Sequence, residues 1–138
     1  MGMIQKAYWS AMAAWHGRHE RTLPWWPAER LAALQDRRAR AIVAHAYATV
    51  PYYRDAMHSR SLRPADFRTA GDLAKLPLVG GAELAAAPER FLSSAFVGKD
   101  TLLLDTTGTT GHYKQIRHDP NAVVAALAAG GRRRAVTA

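Results

Sequence analysis

The sequence predicts an α+β protein that is mostly helical, with a helical region over residues 1–100 and a strand–loop–strand–helix unit over residues 101–138. Three observations predict this class. Apolar residues recur at spacings of three and four along much of the first region, which is the period of an α-helix. The apolar run Leu102–Leu104 and the short run Gln115–His118 flank a segment of threonines and glycines, as two strands joined by a loop would. The alanine-rich stretch 121–129 is again helical in pattern.

Composition limits the classes of function. The 138 residues are enough for one domain with a modest core, and the absence of cysteine excludes disulfides and thiolate metal sites. A reducing cytoplasm is therefore the expected location. The six histidines lack metal-ligand spacing, so we expect no metal site. No apolar run approaches the roughly 20 residues of a membrane span, and the net charge of +8 suits anionic ligands such as nucleotides.

Two helices are expected in the first half of the chain. The first should run from Met3 to His16 and stop at Gly17. The second should run from Pro27 to Val50, because proline suits the first turn of a helix and Pro51 prevents continuation. Its expected buried stripe consists of Leu31, Leu34, Ile42, Ala46 and Val50.

Aromatic and histidine side chains near these helices are interpreted as structural. Trp25 and Trp26 lie between prolines and are expected to pack against a neighbouring helix. His45 lies among alanines and is expected to be buried or half-buried with a local hydrogen-bond partner.

Shorter elements follow Pro51. A helix to about Ser59 is expected, after which Phe67 should reach the core and Thr69-x-x-Asp72 has the spacing of a capping box. A further short helix over 83–91 should be interrupted by Pro88, and the helix over 121–129 should end at Gly130-Gly131.

The segment before Lys114 has a composition suited to binding phosphate. It reads Thr106, Thr107, Gly108, Thr109, Thr110 and Gly111. Glycine lets backbone N–H groups approach an anion closely, threonine hydroxyls add donors, and lysine supplies a positive charge. The order differs from the P-loop of nucleoside triphosphatases, whose lysine directly follows the second glycine. A polar hairpin loop that binds no ligand is the alternative interpretation.

This segment resembles the phosphate-binding loop of the adenylate-forming (AMP-binding) enzyme superfamily, with Lys114 at the lysine position and Tyr113 where proline is usual. A second resemblance, to the phenylacetate–CoA ligase-like branch, rests on Ile42–Arg54, which reads IVAHAYATVPYYR, and on Asp72–Pro77, which reads DLAKLP. The three segments occur in the order typical of that branch. Together they extend the resemblance over about residues 25–119.

The resemblance implies the N-terminal part of a ligase that uses ATP and magnesium to convert a carboxylic acid to an acyl-adenylate and then transfers the acyl group to coenzyme A. The fold it implies is a fragment of that enzyme's α/β N-terminal domain, so residues 1–138 would be a single partial domain. Residues holding the ATP β- and γ-phosphates would be Thr106, Thr107, Gly108, Thr109, Thr110, Gly111 and Lys114.

The family's adenine pocket, ribose-binding aspartate, metal-binding glutamate and C-terminal lid have no counterpart in these 138 residues. We therefore expect the polypeptide to be inactive alone, with no catalytic residue of its own, as a truncation, one half of a split gene or a remnant. Leu102–Leu104 should expose apolar side chains, which favours self-association or a complementing polypeptide.

Two other functions are compatible with the sequence. One is a non-catalytic helical interaction subunit. The other is a basic module that binds nucleic acid or another anion, although no zinc-ligand spacing or basic region with heptads supports it.

Overall fold

The computed structural model describes residues 3–99, 101–106 and 114–137. Its elements confirm the predicted class, a mostly helical chain with a small antiparallel two-stranded sheet near the C-terminus. The helices and strands are α1 (Met3–Thr22), α2 (Ala28–Thr49), α3 (Pro51–His58), α4 (Gly81–Ala86), β1 (Leu102–Thr106), β2 (Lys114–His118) and α5 (Pro120–Thr137). Short 3₁₀ turns occur at Leu23–Trp25, Pro64–Asp66, Ala70–Lys75, Pro88–Phe91 and Ser94–Phe96.

The chain forms two compact units. One comprises Met1–Leu31 and His118–Ala138, in which α1 packs along α5 and the turn at Leu23–Trp25 contacts both helices. The other comprises Ala32–Arg117 and contains the cluster of buried apolar side chains described below. The single partial domain expected from the sequence remains a prediction.

Two helix ends differ from the sequence expectation. Helix α1 continues through Gly17 to Thr22, and α5 continues through Gly130 and Gly131 to Thr137. A glycine inside a helix costs about 1 kcal/mol relative to alanine. Because α1 and α5 pack along each other, tertiary contact compensates for this local cost and the glycines do not act as stops.

The core of the second unit lies where α2, α3 and the segment after α3 meet. Val43, Met57 and Phe67 are buried there, and Tyr47, Tyr53, Leu62 and Leu76 pack around them. The prediction that Phe67 reaches the core is confirmed, since its side chain is only 1% exposed.

The buried face of α2 differs in part from the predicted stripe. Ile42 is 58% exposed, whereas its neighbour Val43 is buried with Leu34 and Ala39. A step of four residues turns a helix 40° past a full turn, so a stripe extended in steps of four drifts away from the buried face. Val43 therefore occupies the core position that the sequence pattern assigned to Ile42.

The junction between α2 and α3 follows from proline chemistry, as expected. Val50 has extended backbone dihedrals (φ −110°, ψ 112°), which the residue before a proline prefers, and Pro51 opens α3. The Arg54 side chain donates from Nε to the Tyr47 carbonyl (3.1 Å) and from Nη2 to the Ala48 carbonyl (2.6 Å). These bonds satisfy acceptors in the last turn of α2 that have no partner within the helix.

The prediction for the tryptophan pair is wrong for one member. Trp25 is 72% exposed and is therefore not a packing residue within its unit. Trp26 is half-buried, and the Arg30 guanidinium lies 3.7 Å from its ring centroid, a cation–π contact.

The structure confirms that part of the predicted capping box in which the Asp72 carboxylate accepts hydrogen bonds from backbone N–H groups. Its Oδ2 accepts hydrogen bonds from the backbone N–H groups of Arg68 (2.9 Å) and Thr69 (2.8 Å) and from the Thr69 hydroxyl (3.0 Å). The Lys75 ammonium lies 2.7 Å from Oδ1. The bond from Lys75, followed by those from Thr69 and Arg68, lowers the pKa of the Asp72 carboxyl well below its usual range.

Asp72→Asn should therefore destabilise the protein in a pH-dependent way. A carboxyl whose pKa is lowered in the folded state stabilises it above the usual pKa of about 4, and this contribution is lost as the pH falls below that value. Urea unfolding of both proteins should show a stability difference at neutral pH that narrows below about pH 4. A stability difference that stays constant through this pH range would show that the charge of Asp72 does not contribute to stability.

Candidate functional site

The hairpin of β1 and β2 is the scaffold of the predicted phosphate site. Thr106 is the last residue of β1 and Lys114 is the first residue of β2. Because the two strands are consecutive and antiparallel, these two backbone positions lie at the same end of the sheet. The predicted site residues Thr107, Gly108, Thr109, Thr110 and Gly111, together with Tyr113, lie outside the described residues.

A turn directs the chain into β1. The Ser93 hydroxyl accepts a hydrogen bond from the Ala95 N–H (3.3 Å), and the Lys99 N–H donates to the Phe96 carbonyl (3.2 Å). Gly98 has φ +76°, in the left-handed region that favours glycine. The turn over residues 93–99 thus contains one hydroxyl cap and one glycine with left-handed dihedrals.

His45 connects α2 to this turn. Its Nε2 lies 3.3 Å from the Thr49 hydroxyl and 3.4 Å from the Ser93 hydroxyl. The predicted local partner is confirmed as Thr49, but the prediction of burial is wrong because His45 is exposed. No group of three or more His, Cys, Asp or Glu residues in the described ranges could hold a metal ion.

A cleft of about 370 Å³ lies beside β2, in a position that the sequence analysis did not predict. Its volume lies near the lower end of the range of small-molecule pockets, which is about 300–1,000 Å³. Five lining residues are apolar and two are charged: Leu84, Pro88, Phe91, Leu92 and Ile116, with Glu89 and Arg117. Nothing local in the sequence marks these positions, because they come from three separate elements.

One wall of the cleft is fixed against α3. Phe91 stacks on the Tyr52 ring at a centroid distance of 4.3 Å and an interplanar angle of 28°. Arg90 Nη2 pairs with Asp55 Oδ2 at 2.9 Å, and the Arg90 guanidinium lies 5.7 Å from the Tyr52 ring centroid. The turn Pro88–Phe91 is therefore held by a ring stack and an ion pair, rather than by its backbone alone.

Tyr52 also contacts α4, the helix that precedes the turn Pro88–Phe91. Burial raises the pKa of its hydroxyl, and the hydrogen bond that the hydroxyl donates to the Glu83 carboxylate raises it further. Tyr52 thus contacts both α4, through Glu83, and the turn Pro88–Phe91, through Phe91.

Strand β1 presents apolar side chains on both faces. Leu102 and Leu103 are each 48% exposed, and consecutive strand residues point to opposite faces of a sheet. The predicted exposure of apolar side chains at this strand is confirmed for these two residues. Strands that are apolar on both faces are typical of sheets covered on both sides.

Several basic side chains have structural partners. Arg40 Nη1 donates to the Arg68 carbonyl (2.6 Å) and Arg60 Nη1 to the Ala56 carbonyl (3.2 Å), in addition to the bonds of Arg54. These guanidinium groups bond backbone acceptors within the protein. None of the helices in the described part of the chain has both the length and the apolar content that a membrane-spanning helix requires.

Comparison with known proteins shows a partial similarity to one enzyme class. The chain is 39% identical over 56 residues to a phenylacetate-coenzyme A ligase of Aromatoleum evansii, and 36% identical over 58 residues to one of Thermus thermophilus. These matches cover 41% and 42% of this chain and 13% of each ligase, in the N-terminal region of those enzymes. No family model matches the chain, and no solved structure matches it significantly.

The similarity confirms the resemblance inferred from the sequence motifs, over a shorter length. The matched 56 and 58 residues are fewer than the span 25–119 over which the motifs were recognised. Because the match covers far less than two thirds of each ligase, the activity and substrates of those enzymes do not follow for this chain.

Proposed function

We propose that this chain is an N-terminal portion of an acyl-adenylating CoA ligase of the phenylacetate–CoA ligase type, and that it contributes the loop that holds the ATP triphosphate. The observation that carries the proposal is the β1–β2 hairpin, in which Thr106 and Lys114 bound the threonine- and glycine-rich segment at one end of the sheet. The partial similarity to phenylacetate-coenzyme A ligases supports it.

The donor set of the loop suits a triphosphate. The loop offers many hydrogen-bond donors to negative charge that is spread over several phosphate oxygens. These donors are the backbone N–H groups of Gly108 and Gly111, the hydroxyls of Thr106, Thr107, Thr109 and Thr110, and the Lys114 ammonium. ATP, with its magnesium ion, would supply the adenylyl group that is transferred to the carboxylate and the pyrophosphate that leaves. The role of the loop would be to bind and orient the β- and γ-phosphates and to stabilise charge on the departing oxygens.

The proposal assigns binding, and not catalysis, to these 138 residues. An acyl-adenylate site requires groups for the adenine, the ribose, the metal and the carboxylic acid, all held in one arrangement. No described residue is proposed for any of those roles. We therefore expect Mg-ATP binding by the purified chain without formation of acyl-adenylate.

Titration with Mg-ATP tests the proposal. Isothermal titration calorimetry should show saturable binding, and Lys114→Ala should weaken it by about 10-fold to 100-fold, because a hydrogen bond to a charged group contributes roughly 1.5–3 kcal/mol. Lys99→Ala is the matched control, since Lys99 lies before β1 with its ammonium 5.3 Å from the Phe96 ring, and it should leave the affinity unchanged.

Two results would contradict the proposal. One is no heat of binding at millimolar Mg-ATP with a folded protein. The other is equal weakening by Lys99→Ala and Lys114→Ala, which would indicate a diffuse attraction of nucleotide to a chain of net charge +8 instead of a defined loop.

A further inference from the structure

The cleft beside β2 is built within one unit of the chain. All of its lining residues belong to the unit Ala32–Arg117, so its walls do not depend on the packing of α1 and α5. One wall lies between Leu84 and Leu92, and the other is part of β2. The first wall is held against α3 by the stack of Phe91 on Tyr52. The cleft therefore has a largely preformed wall, as small-molecule sites usually do.

Two opposite charges line this cleft, one from each wall. Glu89 belongs to the first wall and Arg117 to β2, and both side chains are exposed. Within the ranges that the structure describes, neither of them forms an ion pair, whereas Arg90 beside Glu89 is paired with Asp55. The other lining residues are apolar. A mostly apolar surface with a few polar groups is typical of a site that binds and orients a small molecule.

We propose that the cleft binds a free amino acid with an aromatic or branched apolar side chain, in its zwitterionic form. The ligand's side chain would pack against Leu84, Phe91 and Leu92. Its carboxylate would pair with Arg117 and its ammonium group with Glu89. A cleft of about 370 Å³ suits a ligand of this size better than one as large as a nucleotide.

The two charges favour this class of ligand over simpler ones. A carboxylic acid without an ammonium group would bring a second negative charge to the wall that contains Glu89. An amine without a carboxylate would bring a second positive charge to the wall that contains Arg117. A neutral apolar molecule would displace water from both charged groups and offer no replacement, which costs free energy. Only a zwitterion offers each group an opposite charge.

Three ligands with the same phenylethyl body test the inference on the full chain. L-phenylalanine has both charged groups, 3-phenylpropionate lacks the ammonium group, and 2-phenylethylamine lacks the carboxylate. In an NMR titration, the methyl signals of Leu84 and Ile116 should shift and saturate with L-phenylalanine in the millimolar range, whereas that of the core residue Val43 should not. L-phenylalanine should bind about threefold more tightly than either analogue, as expected for one exposed ion pair.

Two variants assign each charge to its partner. Arg117→Gln should remove the preference for L-phenylalanine over 2-phenylethylamine, and Glu89→Gln should remove its preference over 3-phenylpropionate. Arg37→Gln is the control of equal charge, because Arg37 is exposed on α2 and lies outside the cleft, and it should change none of the three affinities. Circular dichroism of each variant verifies that it is folded.

Three results would overturn the inference. One is the absence of a saturable shift at about 20 mM L-phenylalanine. Another is a set of preferences that Arg117→Gln and Glu89→Gln leave unaltered, or that Arg37→Gln changes equally. The third is tighter binding of 3-phenylpropionate than of L-phenylalanine, which would assign the cleft to a simple carboxylic acid.

The inference extends beyond the proposed nucleotide binding and does not depend on it. The amino acid titration contains no nucleotide, and its signals come from residues of the cleft. Failure of L-phenylalanine to bind would leave the Mg-ATP experiment undecided, and failure of Mg-ATP to bind would leave the amino acid site standing.

Discussion

Phe67→Ala should lower the free energy of unfolding by about 3–5 kcal/mol, which is a large part of the 5–15 kcal/mol that a typical domain has. Phe67 is 1% exposed and packs with Val43 and Met57, so truncation removes a buried ring and leaves a cavity that the two neighbours can fill only in part. Urea unfolding followed by circular dichroism should show a midpoint about 2 M lower, for a slope near 2 kcal/mol per molar.

Leu78→Ala provides the control for this prediction. Leu78 has a side chain similar in size to a core residue, but it is 98% exposed, so truncation should change stability by less than about 0.5 kcal/mol. Equal losses for Phe67→Ala and Leu78→Ala would mean that the cluster around Phe67 is not the core of this unit.

Tyr52→Ala should lower stability by about 3 kcal/mol and also disturb the cleft. The substitution removes a buried ring and its stack on Phe91, an aromatic pair worth about 0.5–1.5 kcal/mol beyond the area it buries. Because Phe91 forms part of the cleft wall, loss of the stack should also change the packing of that wall where the variant remains folded. Thermal unfolding measures the loss of stability, and near-ultraviolet circular dichroism measures the change in aromatic packing.

Tyr52→Phe separates the ring from the hydroxyl. The stack is retained and only the hydrogen bond to Glu83 is lost, at a cost of about 1 kcal/mol near neutral pH. The folded-state pKa of Tyr52 is raised, so the hydroxyl stabilises the protein below its usual pKa of about 10 and loses this effect as the pH rises further. Tyr52→Phe should therefore be less sensitive to alkaline pH, and a loss of stability as large as that of Tyr52→Ala would contradict the role given to the ring.

Local signals in the sequence were sufficient for much of the fold. Pro51 fixes the junction between α2 and α3 because it restricts the dihedrals of Val50 and removes a backbone donor. The apolar run Leu102–Leu104 and the short run Gln115–His118, on either side of a threonine- and glycine-rich segment, predicted β1 and β2, and the spacing of Thr69 and Asp72 predicted the cap. Each of these features depends on residues close together in the chain.

Features that depend on tertiary contact could not be predicted in this way. Gly17 remains inside α1 because α5 packs along that helix, and Val43 replaces Ile42 in the core because α3 and Phe67 select one face of α2. The two candidate sites, the loop and the cleft, also differ in whether the sequence alone reveals them. The threonine- and glycine-rich loop is continuous in sequence and visible there, whereas the cleft joins residues near position 90 to Ile116 and Arg117 across separate elements.

Competition among phosphate compounds tests most directly whether the loop between Thr106 and Lys114 binds the triphosphate. An ATP analogue labelled on the ribose is bound to the chain in the presence of magnesium, and displacement is followed by anisotropy. A loop that holds the β- and γ-phosphates should release the analogue to pyrophosphate about as readily as to ATP, and should barely respond to AMP at the same concentration. Displacement by AMP equal to that by ATP would place recognition on the nucleoside or α-phosphate and contradict the account.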